Sequence, residues 1–429
     1  MKQLKRGSNH LSVCYVQLAL RRAGENAGAL DCIFGPQTEA AVKRFQTANG
    51  LTPDGIVGDR TWEALFPYLT GYTLVSIRRG DTFYALANRY GTTVRAIETA
   101  NPTVDPDRLA IGSIVTVPLP FLVSSWEVPY SGFWNGIVLE GLRARYPRLA
   151  VESFGRSVQG QDLLRAAVGT GPITVGINAS HHANEWITTP LVLRMLEAAL
   201  DAEANDTSLA GFPMRALLMR ARLVLTPMVN PDGVDLVAGW LEANDSAFQR
   251  AMGFAGSFPS IPFPSGWKAN LNGVDLNLGY PAGWEIARAI KFAQGYTRPA
   301  PRDFVGTAPL TEPENRAMVL LTERERFDLT VSYHTQGAEI YWRFGERTPD
   351  GARAIADRFA AVSGYTVADP AEMSSYAGYK DWFIQTYLRP GYTIEAGRGQ
   401  NPLPLTDLPT LYRENIGIFV NSLALAANA

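Results

Sequence analysis

Residues 180 to 186 spell Ser-His-His-Ala-Asn-Glu-Trp, between an apolar run at 173–177 and a second apolar segment at 187–196. The first run, Ile-Thr-Val-Gly-Ile, predicts a buried strand, and the second, with a proline near its start, predicts a helix. His182 and Glu185 stand three residues apart after this strand, so both side chains can turn toward one point. Imidazole nitrogen and carboxylate oxygen are ligands of zinc. Because His-x-x-Glu also occurs by chance in many exposed loops, its meaning depends on the remainder of the chain.

The composition is that of an ordinary globular protein of 429 residues, long enough for two or three domains. Hydrophobic residues make up 46% and charged residues 19%, which argues against a disordered chain. The formal net charge is −2, so we expect no overall basic surface for nucleic acid. No apolar run approaches roughly 18 residues, and none follows the basic N-terminus. We therefore expect neither a transmembrane helix nor a conventional secretory signal.

The first 69 residues contain two related turns, Asp31-Cys32-Ile33-Phe34-Gly35 and Asp54-Gly55-Ile56-Val57-Gly58, set among three apolar helical patterns. Thr38 and Thr61 follow these turns, and we expect them to cap the second and third helices. This half-repeated pattern over residues 1–69 resembles the peptidoglycan-binding three-helix domain. A generic small helical bundle is the alternative.

The sequence has two cysteines, and both lie in this first domain. Cys14 and Cys32 could pair in an oxidising compartment. Two small, buried, unpaired side chains are the preferred interpretation. The nearby histidine is His10 alone, which argues against a cysteine-based zinc site. Cys32 also stands where the resembled family usually has glycine.

Residues 70–120 predict a second small domain. Strand patterns at 72–77 and 111–118 enclose two short helical patterns. This βααβ order resembles the LysM domain, which binds glycans that contain N-acetylglucosamine, such as peptidoglycan and chitin. By that resemblance, the glycan groove lies along the loop at 80–82 and the segment at 101–111.

The segment at 121–429 alternates short apolar runs with helical patterns, which predicts an α/β sheet with helices on both faces. Catalytic residues of such sheets lie in loops at the carboxyl ends of strands. The expected strands are 173–177, 222–228, 327–332 and 391–395.

Two further residues complete a candidate zinc site. His334 ends an apolar run and supplies a third ligand beside His182 and Glu185. A His₂Glu set leaves one position for a water, whose pKa zinc lowers to about 7. Glu395 lies inside an apolar strand, where burial penalises its charge, so we expect it to take the proton from that water. A core histidine and a solvent-facing glutamate are the structural alternatives.

These residues follow the order His-x-x-Glu, Ser-x-His and a late Glu near a Gly, and residues 121–429 therefore resemble the zinc carboxypeptidase family. The resemblance implies an α/β catalytic domain built on a mixed sheet. It also implies one zinc ion per chain, held by His182, Glu185 and His334. Glu395 takes the place of the family's catalytic base.

The resemblance assigns roles to three residues around the metal. Asp275 falls where the family has a carboxylate that orients the first zinc histidine. Lys268 falls where the family has an arginine that polarises the scissile carbonyl, and its ammonium group could stabilise the oxyanion as a point charge. Tyr376 is the nearest counterpart of the family's mobile tyrosine.

Two departures separate this chain from ordinary carboxypeptidases. Asn184 stands where they have arginine, and Asn277 is followed by Leu278 where they have the arginine that clamps a terminal carboxylate. Asn277 stays a substrate-binding candidate. The combination His-Ala-Asn-Glu-Trp, Gly-Val-Asp-Leu-Asn-Leu and His-Thr-Gln-Gly resembles the γ-D-glutamyl-meso-diaminopimelate endopeptidase branch. Because diaminopimelate carries carboxylates, Arg343 and Arg398 are candidate substrate cations, and surface arginines are the alternative.

We therefore predict a zinc-dependent peptidoglycan hydrolase with two wall-binding domains in front of its catalytic domain. Its expected partners are stem peptides and glycan containing N-acetylglucosamine, with no nucleic acid and no membrane insertion. One alternative is a carboxypeptidase that trims wall peptides, and another is a wall-binding protein that has lost activity. The expected location is the cell wall. Release during sporulation, nonclassical export and a cytoplasmic start all agree with the lack of a visible signal peptide.

Overall fold

The computed structural model of the chain describes residues 1–369 and 376–427. Its internal contacts divide the chain into two compact units. The expected domain boundaries, after residues 69 and 120, stay predictions. The N-terminal unit comprises Met1–Pro129 and Gly136–Ala150, and the C-terminal unit comprises Tyr130–Asn135 and Val151–Ala429.

The three helices expected near the N-terminus are present. Their inward faces enclose apolar side chains such as Val16, Val42 and Leu65, which have no exposed surface. Burial of this apolar surface is the main force that holds the small bundle together. The helices are α1 (Leu11–Arg22), α2 (Pro36–Ala48) and α3 (Asp59–Thr70).

Each of the two related turns is held by a glutamine of the preceding helix. Gln17 Nε2 donates to Asp31 Oδ1 at 2.9 Å and to Thr38 Oγ1 at 3.2 Å. Gln46 Nε2 makes the same contacts in the second turn, at 2.8 Å to the aspartate and at 3.2 Å to Thr61 Oγ1. The half-repeat of the sequence is therefore a repeat of one hydrogen-bonded turn.

The prediction that Thr38 and Thr61 cap α2 and α3 is wrong. Gly35 and Gly58 occupy the N-cap positions, so each threonine lies within the first turn of its helix. The threonine hydroxyls accept from the glutamine amides, and Thr38 Oγ1 also donates to Ala27 O at 3.0 Å. Buried contacts with the turns therefore take the place of capping bonds.

The interpretation of Cys14 and Cys32 as unpaired side chains is also wrong, because their sulfur atoms are bonded at 2.14 Å. Cys14 is buried on α1, and the first turn brings the two Cα atoms within 4.3 Å. Cys32 has a φ of +61°, and Gly55 has a φ of +78° at the matching position of the second turn. Both turns therefore need left-handed backbone, which glycine adopts most easily.

The second small domain has the expected βααβ arrangement, and its two strands pair antiparallel. Thr82 and Thr93 cap the two helices, since their side chains accept from Ala85 N and Ala96 N, each at 3.0 Å. The elements are β1 (Tyr72–Ser76), α4 (Phe83–Tyr90), α5 (Val94–Ala100) and β2 (Ile114–Pro118).

The remainder of the chain alternates helices and strands, as the sequence pattern predicts. Short 3₁₀ turns are interspersed among them, at Ala183–Glu185, Leu276–Leu278 and Leu405–Asp407. The elements in chain order are α6 (Gly132–Arg145), β3 (Ala150–Arg156), β4 (Asp162–Val168), β5 (Ile173–Ala179), α7 (Thr188–Asn205), β6 (Ser208–Leu209), β7 (Phe212–Pro213), α8 (Met214–Arg220), β8 (Ala221–Thr226), α9 (Pro231–Val237), α10 (Ser246–Ala255), α11 (Trp284–Ala293), α12 (Pro313–Glu325), β9 (Leu329–His334), β10 (Glu339–Tyr341), α13 (Ala352–Ser363), β11 (Thr366–Ala368), α14 (Tyr379–Tyr387), β12 (Gly391–Glu395) and α15 (Leu408–Ala426).

One mixed sheet of eight strands organises the C-terminal unit, in the order β11-β10-β12-β9-β5-β8-β4-β3. The four strands expected from the sequence are the neighbours β12, β9, β5 and β8, which run parallel to one another. On either side of them, β10 and β4 run antiparallel to their neighbours. The predicted α/β fold with a mixed sheet is confirmed.

The long helices α7 and α15 pack against each other and against β5, so they cover the middle of the sheet. Burial on a packed sheet explains why many residues of both helices are apolar. In the described part of the chain, no helix combines the length and hydropathy needed to cross a membrane.

The carboxyl ends of the parallel strands bring the predicted site residues to one edge of the sheet. His182 follows β5, His334 ends β9 and Glu395 ends β12. The register of the sheet pairs Glu395 directly with His334. Sequence order and strand direction therefore explain how residues more than two hundred positions apart meet.

Candidate active site

Two histidines and one glutamate converge beyond β5 and β9. His182 Nδ1 lies 2.9 Å from Glu185 Oε1, and His334 Nδ1 lies 2.9 Å from Glu185 Oε2. The two histidine Nδ1 atoms are 3.2 Å apart. All three residues are buried, and within the described residues no other group of His, Cys, Asp or Glu side chains is close enough to share an ion.

The separations of these ligand atoms fit a tetrahedral zinc ion. Zinc binds histidine nitrogen and carboxylate oxygen at about 2.0–2.1 Å, which places neighbouring ligand atoms roughly 3.3 Å apart. The separations of 2.9 and 3.2 Å are close to that value. The 3₁₀ turn at Ala183–Glu185 carries the glutamate back toward His182. Two nitrogens and one carboxylate leave a coordination position for a further ligand, as in catalytic zinc sites.

Asp275 holds the second nitrogen of His182. Asp275 Oδ1 lies 3.0 Å from His182 Nε2, so His182 can keep its proton on Nε2 and present the Nδ1 lone pair to the metal. The carboxylate is itself fixed by backbone donors. Oδ1 accepts from Asn277 N at 3.2 Å, and Oδ2 accepts from Asp303 N at 3.3 Å.

The charges of the cluster stabilise one another. Burial opposes ionisation of Glu185, but the charges of His182 and Lys268 hold its pKa well below the usual range. Burial likewise opposes protonation of His182, whereas the carboxylates of Glu185 and Asp275 raise its pKa to about 9. Lys268 Nζ lies 3.2 Å from Glu185 Oε1. The site thus attracts cations, and a metal ion competes with the proton on His182.

Glu395 approaches the same site from β12. It is paired in register with His334 on β9 and with Glu339 on β10. Burial, followed by the charge of Glu185, raises the pKa of Glu395 to about 8. A carboxyl group with a pKa in this range can accept and release a proton near neutral pH.

His181 lies next to the cluster without joining it. Its Nε2 is 3.1 Å from Tyr280 OH, and the side chain is completely buried. Burial, with the charges of His334 and His182, holds the pKa of His181 well below its usual value, so the ring is neutral. His181 thus lies outside the group of side chains that could hold a metal ion.

A polar cavity of about 690 Å³ opens over the cluster. Several residues that the sequence pattern singled out line it together: His182, Lys268, Asp275, Asn277 and Glu395. One cavity therefore contains a residue of the predicted metal site, the predicted base Glu395, and the predicted substrate contacts Lys268 and Asn277.

Three other predicted substrate contacts do not line this cavity. Arg343 instead donates two hydrogen bonds to Asp369, at 2.7 and 2.8 Å. It follows β10, which runs antiparallel to β12 and so carries it away from the end that holds the site. Arg398 is exposed, 3.9 Å from Glu414, and Tyr376 packs within an apolar cluster. The structure does not support the expectation that the two arginines bind a substrate carboxylate.

The sequence did not single out three cations that the cavity brings together. Lys291, Arg302 and Lys380 all line it, beside Lys268. Lys291 comes from α11, Arg302 from the loop after it, and Lys380 from α14. Nothing in their local sequence separates them from ordinary surface cations. The one signal in the sequence is Leu278. It stands where ordinary carboxypeptidases have an arginine, and so indicates that a cation for the substrate comes from another position.

Comparison with protein-family models finds three matches along the chain. The model described as zinc carboxypeptidase matches residues 137–416. The peptidoglycan binding domain model matches residues 9–65, and the LysM domain model matches residues 75–118. All three agree with the resemblances seen in the sequence.

Two curated relatives match about two thirds of this chain over most of their own length. One is "Gamma-D-glutamyl-L-diamino acid endopeptidase 1" of Lysinibacillus sphaericus, 42% identical over 296 residues, which cover 69% of this chain and 72% of the relative. Another is "Uncharacterized protein YqgT" of Bacillus subtilis (strain 168), 38% identical over 280 residues, which cover 65% of this chain and 73% of the relative.

Among solved structures, bovine thrombin-activatable fibrinolysis inhibitor, in complex with tick carboxypeptidase inhibitor, has a similar fold. The TM-score is 0.54 at 16% identity, over 71% of this chain and 99% of that chain. This likeness concerns the fold alone. Membership follows from the family model, which spans most of the chain, and from the 42% identity to a relative covered over 72% of its length. The chain belongs to the zinc carboxypeptidase family.

Proposed function

We propose that this chain is a zinc-dependent peptidoglycan hydrolase that cleaves the amide between the γ-carboxyl group of D-glutamate and diaminopimelate in stem peptides. The main support is the cavity in which Glu395 faces the His-Glu-His cluster, in a chain 42% identical to a protein named as a γ-D-glutamyl-L-diamino acid endopeptidase. Leu278 adds support, because an ordinary carboxypeptidase needs a cation at that position.

The metal site would be held by His182, Glu185 and His334. Zinc bound to this set supplies a Lewis acid and lowers the pKa of a coordinated water to about 7. Asp275 orients His182 through the hydrogen bond to Nε2. The protein would thus contribute buried donor atoms that are already oriented before the metal binds.

The proton transfers fall to Glu395. Its carboxylate accepts the proton of the attacking water and delivers it to the nitrogen of the leaving diaminopimelate. The ammonium group of Lys268 stabilises the negative charge that develops on the scissile carbonyl oxygen. Lys268 lies in the same cavity as Glu395, so both groups reach one substrate.

The two N-terminal domains hold the enzyme on its substrate. Residues 1–69 and 70–120 are the proposed wall-binding domains, and residues 121–429 are the proposed catalytic domain. Tethering to glycan raises the local concentration of stem peptides near the cavity. We place the protein at the cell wall, and release during sporulation is one route that would bring it there.

The test is hydrolysis of the tetrapeptide L-Ala-γ-D-Glu-diaminopimelate-D-Ala by zinc-loaded protein, followed by mass spectrometry. The proposal expects release of the dipeptide diaminopimelate-D-Ala. Release of D-Ala alone would instead identify a carboxypeptidase. No release from protein that holds zinc would leave a binding protein without this activity, and would refute the enzymatic proposal.

A further inference from the structure

Asp303 is shared by two cations at the wall of the cavity. Lys291 Nζ lies 2.6 Å from Asp303 Oδ1, and Arg302 Nε donates to Asp303 Oδ2 at 2.7 Å. The side chains of Lys291 and Asp303 are mostly buried, while 42% of the Arg302 side chain is exposed. The carboxylate thus holds the guanidinium group by its Nε, while the partly exposed Arg302 lines the cavity.

This group has one positive charge more than it has carboxylates. The other two cations of the cavity each have an acidic partner, Glu185 for Lys268 and Asp381 for Lys380. Lys291 and Arg302, in contrast, share one carboxylate, that of Asp303. In the described part of the chain, no residue accepts a hydrogen bond from Nη1 or Nη2 of Arg302. These two donors are parallel and free, which is the geometry that binds a carboxylate by two hydrogen bonds.

The group is also linked to the metal site. The backbone N–H of Asp303 donates to Asp275 Oδ2 at 3.3 Å, and Asp275 Oδ1 lies 3.0 Å from His182 Nε2. Arg302 therefore precedes in sequence the residue whose backbone holds Asp275, the partner of His182. Arg302, His182 and Glu395 line one cavity, so a peptide bound at the cluster can extend a carboxylate to Arg302.

We propose that Arg302, oriented by Asp303 and Lys291, binds a free carboxylate of the stem peptide next to the cleaved bond. This inference rests on the proposed function and supplies the cation that Leu278 does not provide. The tripeptide L-Ala-γ-D-Glu-diaminopimelate has three free carboxylates: the α-carboxylate of D-glutamate and the two carboxylates of diaminopimelate, of which the distal one lies farther from the cleaved bond. All three share the chemistry that a guanidinium group recognises.

The experiment uses this tripeptide and three analogues, each with one carboxylate replaced by a carboxamide of nearly equal size. For the zinc-loaded native protein, the analogue that removes the Arg302 contact should lower kcat/KM about 10- to 100-fold. Arg302→Gln should lower kcat/KM to a similar degree on the parent peptide. The same variant should then distinguish that analogue from the parent by less than about threefold, because the partner is already lost.

Two further variants separate recognition from general damage. Arg302→Lys keeps the charge but lacks the paired donors, so it should show an intermediate loss. Arg298→Gln is the matched control, because Arg298 is an exposed arginine of the same loop, outside the cavity. It should behave as the native protein with all four peptides.

The identity of the discriminated analogue reports which carboxylate Arg302 binds. If Arg302→Gln distinguishes all three analogues from the parent as strongly as the native protein does, the inference is wrong. It is equally wrong if the native protein tolerates every replacement. Calorimetric binding of the same peptides to Glu395→Gln, with and without Arg302→Gln, keeps this test independent of turnover. A protein that binds with this discrimination but never hydrolyses would overturn the proposed function alone.

Discussion

Glu395 is a carboxylate at the end of a strand, beside the cluster that we propose as the metal site, and burial and the charge of Glu185 raise its pKa to about 8. Glu395→Gln keeps the size of the side chain and removes its ability to accept a proton. We expect the variant to keep its zinc and to lose hydrolysis by about 10²- to 10⁴-fold. Metal analysis and peptide turnover, measured on the same preparation, check this. Full activity with zinc in place would exclude Glu395 as the base.

Asp275 contacts His182 and lies outside the His-Glu-His cluster, so its substitution tests how the hydrogen bond and charge at His182 Nε2 affect zinc binding. Asp275→Asn should weaken zinc binding about 10- to 100-fold, because the amide no longer accepts the proton of His182 Nε2 as strongly. Competition with a chelator of known affinity measures this. Asp162→Asn is the control, because Asp162 is exposed on β4. Equal zinc affinities in the two variants would show that the hydrogen bond does not tune the site.

Asp235 makes stability depend on pH. Burial raises the pKa of Asp235 to about 7, whereas an unfolded aspartate has a pKa of about 3.9. Between these values the folded state keeps the proton and the unfolded state releases it. The free energy of unfolding therefore falls as pH rises from about 4 to 7, by about 4 kcal/mol at most for this group.

Denaturant unfolding across this pH range, for the native protein and for Asp235→Asn, tests the dependence. The variant should have a flatter profile between pH 4 and 7, since the amide at position 235 does not titrate and only the contribution of Asp235 is lost. If the two profiles have the same slope, Asp235 is already ionised in the folded protein.

At the scale of elements, the two turns before α2 and α3 need the same backbone but use different residues. Cys32 and Gly55 both have positive φ. Cys32→Gly and Cys32→Ala both remove the disulfide, so their comparison isolates the backbone. The glycine variant should be more stable by about 1–2 kcal/mol, because alanine is strained in the left-handed region. Thermal unfolding under reducing conditions measures the difference, and equal melting temperatures would contradict it.

Sequence patterns predict the elements that carry the chemistry and miss the ones that shape the pocket. His182 and His334 can be located because each adjoins an apolar strand of a parallel sheet, whose carboxyl ends meet. Arg302 lies in an irregular loop, and its position depends on packing that no local pattern encodes. Nearness in sequence to His334 favours Arg343 as a substrate contact, but it ignores the reversal of strand direction at β10, and Arg343 does not line the cavity. The sequence leaves the pairing of Cys14 and Cys32 open, because it does not show how closely the first turn brings their Cα atoms together.

At the scale of the whole molecule, a soluble glycan that competes for the N-terminal domains should affect hydrolysis of the wall but not hydrolysis of a free peptide. Soluble oligomers of N-acetylglucosamine should slow hydrolysis of insoluble wall by the full chain, since they occupy the proposed wall-binding domains and remove the tethering. They should leave hydrolysis of a free tripeptide unchanged, because the cavity holds the chemistry. Rates on both substrates, with and without the oligomer, check this. Equal inhibition of both rates would show that the glycan acts at the cavity instead.

The pairing of Glu395 with His334 on adjacent strands has a consequence for how this enzyme tolerates mutation over time. Neighbouring strands lie about 4.7–4.9 Å apart, a spacing set by backbone hydrogen bonds and not by side chains. The backbone separation between the proposed base and the proposed metal ligand is thus set by the hydrogen bonds of the sheet. Substitutions in the loops around the cavity can therefore change the substrate preference without moving the backbone of Glu395 relative to that of His334.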